Sequence, residues 1–94
     1  MSTMDIVDPR LEWFVGRMRD KLALPKNQAK TDWRELNPEE NIQAIRDEYD
    51  ELVEAFQTAA SGQDLEDVID ECADVANRAM MLADQCRPIT KDNP

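Results

Sequence analysis

Residues 37–60 read NPEENIQAIRDEYDELVEAFQTAA and residues 64–87 read DLEDVIDECADVANRAMMLADQCR, with Ser61, Gly62 and Gln63 between them. The first stretch opens on Asn37 as a helix cap and Pro38 at the first helical position. Glu39 and Glu40 follow, where negative charge suits the exposed N–H groups. Ile42, Ile45, Tyr49, Leu52, Val53 and Phe56 then recur at helical spacing, and Ser61-Gly62 supplies a stop. The second stretch starts with Asp64 as cap. It carries Leu65, Val68, Ile69, Cys72, Ala76, Ala79, Met80 and Ala83 along one side and ends at Pro88. So short a link folds the two helices back as an antiparallel hairpin.

Upstream, Asp8 caps and Pro9 begins a further helix bearing Leu11, Phe14, Val15, Met18 and Leu22, which Pro25 ends. Lys26 to Leu36 has weak periodicity and reads as a loop with room for one short turn; Trp33 is an unusual residue to find in it. The expectation is an all-α fold of three main helices in one domain spanning 1–94, with 1–7 and 88–94 as flexible ends.

Composition points the same way. Ninety-four residues suffice for one domain but bury only a modest share of their surface when folded alone, so association would supply missing core. Aromatic residues make up 5% of the chain and there are two glycines, and the many Ala, Leu, Glu and Arg favour helix. Trp13, Phe14 and Met18 on the first helix serve either as a partner surface or as intrachain core.

A formal net charge of −10 with no histidine repels phosphate backbones, and no basic patch offsets it, so nucleic acid is not an expected partner. An acidic protein can nevertheless bind a polyanionic nucleotide if divalent cations stand between the two. Cys72 and Cys86 form neither a CxxC pair nor a disulfide framework, which suits a reducing cytoplasm. No apolar run reaches the roughly 20 residues that span a bilayer, and the N-terminus lacks a signal-peptide pattern, so no membrane association is expected.

On the second helix, with Leu52 at zero, Ile45 falls near about +20°, Phe56 near +40° and Glu48 near −40°. Glu48 thus sits inside the apolar sector, and Glu51 lies one turn later at about −100°, on the same edge, so both side chains can converge beside the core. On the third helix, with Cys72 at zero, Glu71 falls near about −100° and Asp74 near −160°, bordering the apolar side. Both pairs lie mid-helix, so an antiparallel hairpin brings four carboxylates to one level. Such a group must either take up protons or bind divalent metal, and an all-oxygen donor set selects Mg²⁺ or Mn²⁺. The bland reading is that these acids are part of a solvated face, as Asp47, Asp50, Glu54, Glu66, Asp67 and Asp70 are.

The run Glu48-Tyr-Asp-Glu51-Leu-Val-Glu-Ala55 followed by Asp70-Glu71-Cys-Ala-Asp74-Val-Ala-Asn77 resembles the MazG-like family of all-α nucleotide pyrophosphohydrolases, whose hallmark is E-x-x-E followed by E-x-x-D. The resemblance covers Lys30 to Ala83, and Lys30-Thr-Asp-Trp33 looks like the family's K-x-x-W element. It implies Mg²⁺-dependent hydrolysis of nucleoside triphosphates between the α and β phosphates, releasing a monophosphate and pyrophosphate in nucleotide-pool housekeeping. Glu48, Glu51, Glu71 and Asp74 would be the catalytic metal ligands, with Mn²⁺ as a possible substitute ion and Glu51 orienting the water. Lys30, Asn77 and Arg78 would meet phosphate and sugar, with Lys91 a weaker phosphate candidate, and Trp33 would pack near the base or plug the core. It further implies a homodimer or dimer of dimers in which the hairpin completes a four-helix-bundle-like core. Competing readings are a sibling hydrolase, phosphoribosyl-ATP-directed or dUTPase-like, and a non-catalytic helical interaction module.

Overall fold

The computed structural model describes residues 8–24, 33–59 and 65–87. Among these it contains three helices, α1 (Pro9–Leu22), α2 (Pro38–Ala59) and α3 (Leu65–Cys86), plus a 3₁₀ turn at Trp33–Glu35, and no strand. The expected cap at Asp64, the stop at Ser61-Gly62, the helix-ending Pro25 and Pro88, Lys30 and both chain ends lie outside the described residues. None of the helices is long and apolar enough to cross a membrane.

Local chemistry sets the visible starts. The Asp8 carboxylate accepts from the Arg10 backbone N–H at 2.8 Å and Pro9 occupies the first turn of α1. Asn37 and Glu40 form a reciprocal capping box: the Glu40 N–H donates to Asn37 Oδ1 at 2.9 Å, and the Asn37 N–H donates to Glu40 Oε1 at 3.2 Å. Two otherwise orphaned donors are satisfied before the first turn of α2 closes.

Helix α3 is the hub, packing against α2, α1 and the 3₁₀ turn. Asn41 meets Gln85 at one end of the hairpin while Phe56 and Val68 share a groove at the other, so α2 and α3 are antiparallel as the short link requires. Arg17 pairs with Asp70, and Lys21 with Asp74, so α1 runs alongside α3 in the same direction.

Being flanked on two sides changes which face of α3 is inside. Ala73, Asn77 and Met81 are its buried residues, whereas Ala79 and Ala83, expected on the apolar side, are exposed. The buried line is rotated by more than about 100° from Cys72, toward Asp74, because it must serve α1 and α2 together. The stripe of α2 divides as well. Ile45, Leu52 and Ala55 turn inward with Glu48, whereas Ile42, Tyr49 and Phe56, spaced by seven, are 40%, 56% and 62% exposed. On α1, Trp13 is exposed, whereas Phe14 and Met18 are half-buried on the side facing α3.

A polar clasp closes the far end of the hairpin. The fully buried Asn41 donates to Gln85 Oε1 at 2.9 Å and to the Trp33 carbonyl at 3.4 Å, and Gln85 Nε2 donates to the Leu36 carbonyl. Asp84 accepts from Trp33 Nε1 at 3.0 Å and pairs with Arg34 and Arg87, which holds its carboxyl below the usual carboxylate range. The 3₁₀ turn is thereby fastened to the C-terminal half of α3.

Candidate functional site

Three of the four acids singled out in the sequence converge. Glu48 from α2 and Glu71 and Asp74 from α3 each offer a carboxylate oxygen, and these lie within 4.8 Å of one another. All three residues are half-buried, consistent with Glu48 on the inner face of α2 and with the buried line of α3 turned toward Asp74. Glu51 is exposed and stands at the rim, close enough for its carboxyl to raise both Glu48 and Glu71.

The electrostatics follow from the crowding. Partial burial first, then the hydrogen bond with Glu51 and the charges of Asp74, Glu51 and Glu71, push the Glu48 carboxyl up to about 7. Burial and the charges of Asp74 and Glu51 likewise raise Glu71, opposed by the nearby Lys21 ammonium.

Glu48 Oε2 and Glu71 Oε2 are shielded from solvent and have no hydrogen-bond partner. Orphaned buried carboxylate oxygens are costly, and two on facing helices beside a third acid make a donor set suited to a hard divalent cation. Glu48, Glu71 and Asp74 could thus hold a hard divalent cation such as Mg²⁺ or Mn²⁺.

No known family model, curated protein or solved structure matches this chain. What the site can do is therefore read from its own atoms.

The expected substrate contacts are placed unevenly. Arg78 lies one turn beyond Asp74 on the same edge of α3, half-buried, with Nη1 3.8 Å from Met81 Sδ. Asn77 is 4% exposed and its Nδ2 donates to the Met18 carbonyl at 3.1 Å, tying α3 to α1, while its Oδ1 has no partner. Trp33 is half-buried on Asp84, which lies ten residues, or roughly 15 Å along a helix axis, beyond Asp74. Of its two sequence readings this placement favours the packing one.

Lys21 is the site residue that the sequence reading missed. Its Nζ lies 3.3 Å from Asp74 Oδ2, with side chains only 16% and 20% exposed. Its one sequence signal is that it follows Phe14, Gly16-Arg17 and Met18 on the side of α1 that faces α3, and that side emerges only once the two helices are docked.

Proposed function

We propose that the chain is a Mg²⁺-dependent nucleotide pyrophosphohydrolase, cleaving nucleoside triphosphates between the α and β phosphates to give a monophosphate and pyrophosphate. The observation that carries this reading is the pair of buried, unpartnered oxygens on Glu48 and Glu71 beside Asp74. The E-x-x-E and E-x-x-D pattern of the MazG-like family falls on these residues and supports the choice of reaction.

Glu48, Glu71 and Asp74, anchored on the two helices of the hairpin, would hold Mg²⁺, which when bound would offset the charge of an approaching triphosphate and lower the pKa of water so that it more readily gives up a proton before attack. Glu51, exposed beside the trio and one turn along α2 from Glu48, is the carboxylate assigned to orient the attacking water. Arg78, on the same edge, would meet the phosphates, with Lys30 joining it in this reading; Asn77 ties α3 to α1 through the Met18 carbonyl, and Trp33 fastens the 3₁₀ turn to Asp84. No covalent nucleophile is required for such a displacement, and the chain has no histidine to act as one.

The outward line of Ile42, Tyr49 and Phe56 and the apolar groove of about 450 Å³ between Tyr49, Leu52, Phe56, Val68 and Cys72 support self-association as a homodimer or dimer of dimers, completing a four-helix core.

The test is to incubate the purified chain with a panel of canonical and modified (d)NTPs and Mg²⁺ and identify the products by chromatography. Monophosphate with pyrophosphate is expected, and Glu48→Gln and Glu71→Gln should abolish it. Release of orthophosphate rules out the proposed bond cleavage. Turnover confined to phosphoribosyl-ATP or dUTP would assign the chain to a sibling reaction, and no turnover with no Mg²⁺ effect on stability would leave a helical interaction module.

A further inference from the structure

Lys21 is the contribution of α1 to the acid trio. It reaches Asp74 from α1, at 3.3 Å, and the two side chains are the least exposed of the ion pairs in the described residues. The other cation that α1 sends to α3, Arg17, pairs one turn earlier with Glu66 and Asp70, which are 59% and 41% exposed. One cation thus serves the solvated rim and the other serves the cluster itself.

The trio carries more negative charge than its surroundings can solvate, and two of its oxygens lack hydrogen-bond partners. Lys21 brings a positive charge to this cluster, and the same charge opposes the upward shift of Glu71. A divalent ion seated among Glu48, Glu71 and Asp74 would need the same Asp74 carboxylate and would meet an ammonium a few ångströms away. Both cannot hold Asp74 at full strength. Lysine suits such an exchange, since its point charge sits on a flexible four-carbon stem, whereas a guanidinium would grip the carboxylate in a rigid fork.

We propose that Lys21 is a tethered cation that neutralises the acid trio in the metal-free protein and competes with divalent metal for Asp74. The inference rests on the metal reading of the trio. It makes metal loading an exchange of one cation for another, in which Asp74 passes from Lys21 to the incoming ion and the end of α1 is released from α3.

The experiment titrates the full chain with Mg²⁺ alone by calorimetry and follows thermal unfolding without nucleotide, for wild type, Lys21→Gln, Lys21→Arg and Arg17→Gln. Lys21→Gln should bind Mg²⁺ roughly tenfold more tightly, since a partly buried competing charge is removed, and should melt lower than wild type without metal. Arg17→Gln removes the same charge from the same interface one turn away and should change affinity by no more than roughly twofold, because solvent and salt screen it. Lys21→Arg should bind no more tightly than wild type. Equal affinity in Lys21→Gln and wild type, an equal gain in Arg17→Gln, or tighter binding by Lys21→Arg overturns the inference while leaving the metal reading standing. If Lys21→Gln does not fold, the Lys21→Arg titration decides by the same criterion. Absence of Mg²⁺ binding in every protein removes the metal reading and the inference with it.

Discussion

Glu48 on α2 and Glu71 on α3 face each other across the hairpin, each with one carboxylate oxygen buried and unpartnered. Neither arrangement is favourable in isolation: burial raises the affinity of both groups for protons, the charges of Asp74 and Glu51 add to both shifts, and Glu71 adds to that of Glu48. A site held in this condition is stabilised by whatever relieves it, and the predictions below follow from that.

Neutralising either acid should stabilise the metal-free chain. Glu48→Gln and Glu71→Gln keep the shape of the side chain while removing a charge from a crowded, half-buried group. Each should raise stability by roughly 1 kcal/mol, a figure kept low because solvent screens part of the repulsion. For a domain of this size that is a rise of roughly 4–8 °C in melting temperature. The same variants should lose the stabilisation that Mg²⁺ gives wild type, read by thermal scans with and without the ion. A melting temperature that falls without metal would show that the acids are not in conflict.

The pH dependence has a definite sign. Burial and neighbouring acids hold the folded Glu48 carboxyl up at about 7, against an ordinary value of 4.5 when unfolded, so between these values the folded state holds more protons. The contribution of Glu48 to stability of the metal-free chain is therefore fully present below the unfolded value and is lost as pH rises from about 4.5 to about 7. Asp84 acts oppositely: its lowered carboxyl contributes stability above its unfolded value of 3.8, lost only as pH falls through the folded one. Urea midpoints in chelator at pH 5 and pH 7.5 should therefore favour the acid side, and Glu48→Gln should flatten the difference. A midpoint that rises toward neutral pH in wild type contradicts the assignment.

At the other end of the hairpin, Asn41→Ala should cost roughly 1–3 kcal/mol, because it removes a fully buried amide and leaves Gln85 and the Trp33 carbonyl short of a partner. Denaturant midpoints measure it. The loss should appear as weakened attachment of the 3₁₀ turn, with Trp33 fluorescence shifting red ahead of the loss of helical signal. Coincident transitions would mean that the turn and the hairpin melt as one unit.

The helices, the hairpin and the half-buried place of Glu48 were legible in the sequence because each rests on local rules: caps at Asp8 and Asn37, 3.6-residue periodicity and a link of few residues. The buried face of α3 was not. A stripe read around Cys72 assumes one neighbouring helix, and α3 has two, so Ala73, Asn77 and Met81 became the inner line and Asp74 came nearer the interior than its position in the periodicity suggested. Asn41 falls on the inner arc of α2, within about 20° of Leu52, yet an asparagine there reads as a surface residue until Gln85 is brought opposite. Lys21 depends wholly on how α1 docks, a relation between segments more than 50 residues apart that no local pattern encodes.

The outward-facing apolar line carries its own test. Tyr49→Glu with Phe56→Glu places charge on exposed positions of α2, so helical content should persist while any self-association is lost, as sedimentation velocity would report. An unchanged sedimentation coefficient would show that the hairpin's outer face is not where copies of the chain meet.

The most direct measurement is an anomalous difference map from crystals grown with Mn²⁺, which scatters where Mg²⁺ does not. A peak roughly 2.1 Å from carboxylate oxygens of Glu48, Glu71 and Asp74 is the predicted result. Well-ordered carboxylates at this level of the hairpin with no peak among them, at millimolar ion, would contradict the account.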